Sequence, residues 1–484
     1  MWKKMMTKNK RWFLGAAAGL LLLGSCKAPE LTTDERIVLP ETYVGASADS
    51  TTVGDLSWEN FIPDEILKGY IRTALANNHS FQQIMERVSI ARSQVRLGKG
   101  ALLPEVSIGI QAGVQRFGEY SMDGVGNSTT NTPDLPADKH IPDPYKDLTL
   151  GIGFQWEADI WGKLTQKKHA AAARWMASVE AANLARTILI SDLSSLYFGL
   201  VGLDKQRTIL NGAIEQTRAS YELTYELKKE GEVNQLAVDQ FQSRLLRLQG
   251  MLLENEQQIG ETERAIATMM GAFPFEIRRI TFDEMNQMEF PVQAGVPSQL
   301  LRLRPDVREA EMALLASKAD LAAAHKAFFP SLVIGGGGGF NAFDLSHWFT
   351  APASLVYNLA AGITAPIFKR NEIRVMWDNA KSEQRIALSR YHETALRAYE
   401  EVTNLVIACE QIKKRKQLKM EESQIHHRSI SNANDLFKLS FVGYLEVLSA
   451  DERYLDCELE YATLAAQNCA TKMMLFRALG GGRF

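Results

Sequence analysis

Lys163–Gly231 reads KLTQKKHAAAARWMASVEAANLARTILISDLSSLYFGLVGLDKQRTILNGAIEQTRASYELTYELKKEG, and its reading decides the fold. It contains no proline, and none occurs between Pro144 and Pro274. A second stretch of the same kind runs from Lys369 to Gly443, with no proline after Pro366. At about 1.5 Å per residue a helix of this length reaches roughly 100 Å, whereas ordinary globular helices average about 11 to 12 residues. A compact enzyme core has no use for such rods; a tube or a spacer does. In the first rod Leu193, Leu196, Leu200, Leu203, Leu210, Ile214 and Tyr221 follow steps of three and four, with Arg207 and Thr217 as polar members. In the second, Leu388, Tyr391, Ala395, Ala398, Val402, Leu405, Cys409 and Ile412 do the same. This is the seam of a coiled coil. Each rod is followed by a partner in phase, Phe241 to Met269 and Leu448 to Phe476. The helical pattern alone fits a soluble bundle equally well.

Composition narrows the classes. The chain has 484 residues, 46% of them hydrophobic, which is the composition of a folded protein. Net charge is −3 with no long basic run, so nucleic acid is not an expected partner. Residues 1–25 read as a signal peptide: Lys3, Lys4, Lys8, Lys10 and Arg11 precede the short apolar run Trp12–Leu23. Leu23-Gly24-Ser25-Cys26 then resembles a bacterial lipobox, in which cleavage leaves Cys26 to carry a covalent lipid. Removing 1–25 takes away five basic residues and moves the charge to −8. The lipid anchors without spanning. Lys27 follows, not the aspartate that in lipoprotein sorting retains a protein at the inner membrane. Cys409, Cys457 and Cys469 read as buried free thiols, since two lie on seams and no spacing suits zinc. No other cofactor and no metal is expected.

The chain repeats itself. Ala101–Gly109 (ALLPEVSIG) answers Ala327–Gly335 (AFFPSLVIG) at an offset of 226, and Gly153–Trp161 answers Ala360–Phe368 at 207. Leu236 and Leu445 match at 209. The lost residues fall in the Asn-, Pro- and Asp-rich loop 121–147, as in a repeat whose insertions are confined to loops. Each half predicts a helix (Glu65–Lys99, Asp306–Lys326), a Leu-Pro or Phe-Pro break, two strands, a rod and its partner. The strands are Glu105–Arg116 with Leu148–Glu157, and Ser331–Phe340 with Ser354–Ala365. Strands of this length suit a tilted membrane crossing, for which about 9 to 11 residues are needed. Aromatic residues cluster at their ends, among them Phe117, Tyr120, Trp156, Trp161, Phe340, Phe343, Trp348, Phe349 and Tyr357. Four strands cannot close a barrel, and open edges are not tolerated in lipid. The strands must be shared between copies, and the arithmetic allows two copies as well as three.

These residues resemble the outer membrane factors of bacterial efflux and secretion systems, in the lipoprotein branch serving RND-type multidrug pumps. The sharpest marker is Leu303-Arg304-Pro305-Asp306-Val307-Arg308, which looks like the family's Arg-Pro-Asp-Val-Arg signature; Gly443–Ala450 and Ala478–Gly482 also match. The resemblance implies a mixed, mainly α fold. Its homotrimer shares a 12-stranded β-barrel continued by a 12-helix periplasmic α-barrel. The segments are then 1–25 signal, 26–61 lipid-anchored equatorial segment, 62–273 first repeat, 274–300 equatorial connector, 301–479 second repeat and 480–484 tail. The resemblance also implies outer membrane localisation and no catalysis. A periplasmic adaptor and an inner membrane pump are the implied partners, with outer membrane lipid around the barrel. Alternatives are the exit duct of a type I protein secretion system and, from another class, a periplasmic helical scaffold lipoprotein.

In the family the rod-to-partner turns meet the adaptor, here Gly231, Glu232, Val233 and Asn234, and Phe441, Val442, Gly443 and Tyr444. Gly231 and Gly443 are expected to permit the reversals. By motif matching Leu445 falls on the apolar aperture ring. Ser449 and Glu452 stand where relatives carry an aspartate and an arginine, so the family's lock is not carried over. Asp451 and Glu452 offer acidic groups near the aperture that would repel one another across a symmetry axis and favour cations. The charge runs Tyr221–Glu230 and Lys413–Glu422 read as solvated faces. The Gly335–Gly339 run lacks the Gly-Lys-Ser/Thr of a phosphate loop and reads as close backbone approach in a strand. His426 and His427 are adjacent on a helix and cannot share a metal face.

Overall fold

The computed structural model describes residues 37, 39–44, 51–291, 293–439 and 441–482. The expected signal peptide and lipid-bearing Cys26 lie outside the described residues. From Leu39 onward the chain forms one contact unit. Its principal elements are α1 (Glu65–Asn77), α2 (His79–Gly100), β1 (Glu105–Gln115), β2 (Tyr145–Ala158), α3 (Lys163–Lys229), α4 (Gln235–Met269), α5 (Pro305–Lys326), β3 (Ser331–Ala342), β4 (Leu355–Thr364), α6 (Glu372–Lys438) and α7 (Tyr444–Ala478). The duplication is explicit in the lengths. Both rods, α3 and α6, have 67 residues, and both partners, α4 and α7, have 35.

Three boundaries differ from the expectation. The single helix expected over Glu65–Lys99 is two, divided at Asn78. That side chain accepts from the Phe81 amide (2.8 Å) and donates to the Met269 carbonyl (2.9 Å), so it caps α2 and ties it to the end of α4. The second rod begins at Glu372, because Arg370 and Asn371 take φ of 45° and 65° and turn the chain out of β4. The loop between β1 and β2 contains a short helix, Met122–Thr130, capped by the Ser121 hydroxyl on the Gly124 amide (3.1 Å).

Helices pack side by side in two tiers. Next to the sheet the order is α2, α3, α5, α6; farther along it is α4, α3, α7, α6. The seam residues do what their spacing predicts: Leu193, Leu200, Leu210, Ala398 and Val402 are buried. Between the tiers lies a belt of core. Phe61 stacks on Phe476 at 4.1 Å and meets Phe290 at 5.5 Å, and Ile277, Met285 and Tyr197 fill the same cluster. Residues from 51 to 62 and from the 274–300 connector thus pack into one belt around the rods. Each fully buried large apolar side chain here contributes about 1.5 to 3 kcal/mol.

The sheet is fully antiparallel in the order β1-β2-β3-β4, with unbroken registers. Register settles what alternation in the sequence left weak. Ile108 opposes Ile152, Ile152 opposes Gly338, and Gly338 opposes Tyr357. One face therefore carries Val106, Ile108, Ile110, Leu148, Leu150, Ile152, Phe154, Leu332, Ile334, Phe340, Leu355, Tyr357, Leu359 and Ile363. The other carries Ser107, Gln111, Thr149, Gln155, Asn341, Asn358 and several glycines. Within the Gly335–Gly339 run a Cβ on Gly339 would sit 2.0 Å from the Leu150 carbonyl oxygen, so close backbone approach is indeed what excludes a side chain there. β1 and β4 each have one unpaired edge within the chain.

Candidate functional site

The rods reverse at their far ends, where the candidate aperture and turn residues lie. After α3, Gly231 takes φ 81° and the Glu232 amide reaches back to the Leu227 carbonyl (3.0 Å), a helix stop that needs a left-handed residue. Asn234 then caps α4 by accepting from the Ala237 amide (3.1 Å). After α6 the equivalent bond runs from Phe441 to the Leu436 carbonyl (3.0 Å). The offset of 209 therefore pairs Gly231 with residue 440, which lies outside the described residues, and Asn234 with Gly443. The expectation that Gly443 permits the reversal is corrected: it is the cap of α7, at φ −84° and ψ 174°, a backbone any residue adopts. Glu232, Phe441 and Leu445 are exposed at the tip, with Val233, Val442 and Tyr444 half-buried behind them.

The candidate acidic residues Asp451 and Glu452 are not free. Asp451 faces α4, where Arg244 lies at 3.9 Å and donates to the Leu448 carbonyl (2.9 Å). Gln216 of α3 reaches Asp451 from the other side (3.4 Å). Asp451 is largely buried, and burial pushes its carboxyl above the usual range while Arg244 pulls it down. The next residue, Glu452, pairs at the surface with Arg247, about one turn beyond Arg244 on α4. Two ion pairs thus join α4 to α7 across the repeats. Within the chain each acid therefore meets an arginine more than 200 residues away in sequence, a compensation the reading of two acidic groups did not include. Nothing in the local sequence of α7 signals this. Ser449 is exposed and joins neither pair.

The Lys413–Glu422 run is likewise more than a solvated face. Lys419 bridges Glu422 (2.7 Å) and Glu460 of α7 (2.9 Å), and Arg415 also reaches Glu460 (3.4 Å). His426 meets Glu422 at 3.4 Å, while His427 packs edge-on against Tyr454. Cys409, Cys457 and Cys469 are free and buried, and burial pushes each thiol up to about 11, so they behave as small apolar groups. Among the described residues no group of three or more His, Cys, Asp or Glu is placed to hold a metal ion.

The Arg304-Pro305-Asp306 signature sits far from the tip and acts as a clamp. Arg304 is buried. It grips Asp306 at 3.0 and 2.6 Å, meets Glu401 of α6 at 2.7 Å, and donates to the Ala478 carbonyl at the end of α7 at 2.8 Å. Arg477 takes the other oxygen of Glu401 (2.6 Å). Pro305 occupies the first turn of α5, where a missing amide costs nothing. The signature therefore fixes where α5, α6 and α7 meet in the belt.

The family profile for outer membrane efflux proteins matches residues 70–272 and 296–481, one block for each half of the duplication. The chain belongs to the outer membrane efflux protein family. It is similar to the cation efflux system protein CusC of Escherichia coli K12, 24% identical over 469 residues, covering 96% of this chain and 97% of the relative. It is also similar to the toluene efflux pump outer membrane protein TtgC of Pseudomonas putida, 23% identical over 484 residues, covering 99% and 96%. Among solved structures, the open state of the Neisseria gonorrhoeae MtrE outer membrane channel superposes with a TM-score of 0.78 at 22% identity, over 92% of this chain and 96% of that one. The outer membrane efflux fold explains the two tiers and the one-sided sheet together. This outer membrane efflux protein gathers its apolar sheet residues on one face and extends its rods into the periplasm.

Proposed function

We propose that three copies of the chain close into one passive duct, the outer membrane component of a tripartite efflux pump. One observation carries the reading: a four-stranded sheet with one apolar face and two unpaired edges. An open edge cannot remain in lipid, so β4 of each copy must find β1 of another. Two copies would give eight strands and three give twelve; the family resemblance selects three. The stacked helices below the sheet would then form a tunnel wall of twelve helical strands.

In this reading Gly231, Glu232, Val233, Asn234, Phe441, Val442, Gly443 and Tyr444 meet the hairpins of a periplasmic adaptor, and Leu445 with Ser449 lines the narrowest ring. Asp451 and Glu452 hold α7 to α4 and act as a latch rather than an ion filter. Cys26 carries a lipid in the outer membrane. An inner membrane pump supplies the energy. Relatives at 23 to 25% identity are named for cations, toluene and pyoverdine. Such different cargoes on equally distant relatives suit a duct whose cargo is chosen elsewhere. The test is the protein extracted in detergent, weighed and imaged end-on, then placed in a planar bilayer. A particle of three chains that conducts ions is expected, each lighter than the 54.0 kDa full-length chain by its signal peptide. A single-chain particle without conductance overturns the reading.

A further inference from the structure

Within the sheet the halves of this chain meet at one seam, β2 against β3, and the same halves leave a second seam unpaired, β4 and β1. At the first seam six residues meet where the sheet joins the helices. Glu157, at the end of β2, accepts from Lys163 (2.5 Å) and from the Ser331 hydroxyl at the start of β3 (3.1 Å). Trp161 stacks on Phe329 at 5.1 Å and donates to the Pro330 carbonyl (2.7 Å).

The duplication carries this seam onto the second. Moving the departing side forward by 207 takes Glu157 to Thr364, Trp161 to Phe368 and Lys163 to Arg370. Moving the arriving side back by 226 takes Phe329 to Leu103, Pro330 to Pro104 and Ser331 to Glu105. The same kinds of group reappear with the carboxylate and the hydroxyl exchanged across the seam. Among the described residues Glu105, Thr364 and Arg370 make no side-chain hydrogen bond or ion pair within the chain. Phe368 is 84% exposed and Leu103 67% exposed, whereas their counterparts Trp161 and Phe329 are in contact.

We propose that β4 of one copy pairs antiparallel with β1 of the next, with Thr364 opposite Ser107. Glu105 of the next copy then receives the Arg370 guanidinium and the Thr364 hydroxyl, and Phe368 seats on Leu103 of the next copy. The register follows from the first seam: Leu148 opposite Ala342 becomes Leu355 opposite Arg116. A feature not used in deriving it agrees. Ile363 falls opposite Ile108, Ala361 opposite Ile110, Leu359 opposite Ala112 and Tyr357 opposite Val114, all on the apolar face. Shifting by one residue would set that face against Gln111 and Ser107. A shift of two keeps the faces but separates Glu105 from Arg370. The contact is head-to-tail, the kind that builds a ring when its rotation closes.

The inference rests on the homotrimer reading, and the experiment separates the two. In the full-length protein, Thr364→Cys/Ser107→Cys is compared with the slipped pair Thr364→Cys/Gly109→Cys and with each single substitution. Within one chain β1 and β4 stand three strand spacings apart, about 14 Å, too far for a disulfide. Oxidation of the first pair is expected to give a reducible three-chain species on denaturing gels, and the slipped pair and the singles only single chains. Glu105→Arg and Arg370→Glu are each expected to lower the temperature at which the assembly dissociates, and the two together to restore it. Cross-linking by the slipped pair in place of the first, or failure of the exchange to restore stability, overturns this seam while leaving the three-chain particle intact. Single chains for every pair, with a single-chain mass in detergent, overturn both.

Discussion

Gly231 holds a φ of 81°, with nothing within 4 Å of where a Cβ would stand. An L-residue pays about 1–2 kcal/mol for that backbone, and here no steric clash adds to it. Gly443 holds an extended backbone at the cap position of α7, where a Cβ would meet only the Glu446 carboxylate at 3.1 Å, the movable end of a side chain. Asparagine caps better than glycine by a few tenths of a kcal/mol, and Asn234 already does so at the equivalent position. Gly231→Ala should therefore speed amide hydrogen exchange around the first turn by about 5- to 30-fold. Gly443→Asn should leave exchange around the second turn unchanged or slower. Equal acceleration by both substitutions would show that the two glycines serve one purpose after all. The letter G could not separate these roles, because a left-handed stop and an extended cap both accept glycine. The bonds to Leu227 and Leu436 confirm the 209 offset, which aligns Gly231 with residue 440 and not with Gly443.

At the level of elements, α7 is held to α4 by Arg244–Asp451 and Arg247–Glu452. Their worth differs. Arg247 and Glu452 are exposed, and such pairs contribute about 0 to 1 kcal/mol. Asp451 and Arg244 are both largely buried, and stripping a buried group of its partner costs about 1–3 kcal/mol. The groups shown facing Asp451 are Arg244 on α4 and Gln216 on α3. Burial holds the Asp451 carboxyl above its ordinary range, and any opening that separates α7 from α4 returns it to that range. Opening therefore releases a proton. The closed tip gains from this group as pH falls through the raised value, gains fully below the ordinary one, and loses the gain as pH rises. In planar bilayers the open probability should fall on acidification toward the carboxylate range. Asp451→Asn should flatten that dependence, and Arg244→Ala should raise the open probability more than Arg247→Ala does. An unchanged pH profile in Asp451→Asn would remove Asp451 from the latch. The rods themselves were legible, since absent prolines and the Leu193-to-Tyr221 spacing dictate a long seam. The break at Asn78 was not, because the cap it makes on the Phe81 amide is joined by a bond to the Met269 carbonyl, which is distant in sequence. The latch was hidden for the same reason.

For the whole molecule the question is which solvent each sheet face meets. Single-strand alternation was a faint signal, because β3 spends five positions on glycine and the apolar stripe of β1 is short. Pairing makes it plain: the registers bring Val106, Ile108 and Ile110 onto one surface with Leu150, Ile152, Leu359 and Ile363, and leave Gln111 and Asn358 behind it. Ile110 and Gln111 are neighbours near the middle of β1, so they test the two faces at one depth. Ile110→Arg puts a guanidinium into hydrocarbon at about 2–4 kcal/mol per copy, repeated in every copy of a closed ring. Far fewer assembled channels should then be recovered from the membrane. Gln111→Arg puts the same charge into water inside the barrel, where it costs little and adds a ring of positive charge to the path. Channel number should hold while ion selectivity moves toward anions. Each variant thus serves as the other's control for folding and for charge, and equal loss of channels from both would mean that the two faces do not meet different solvents.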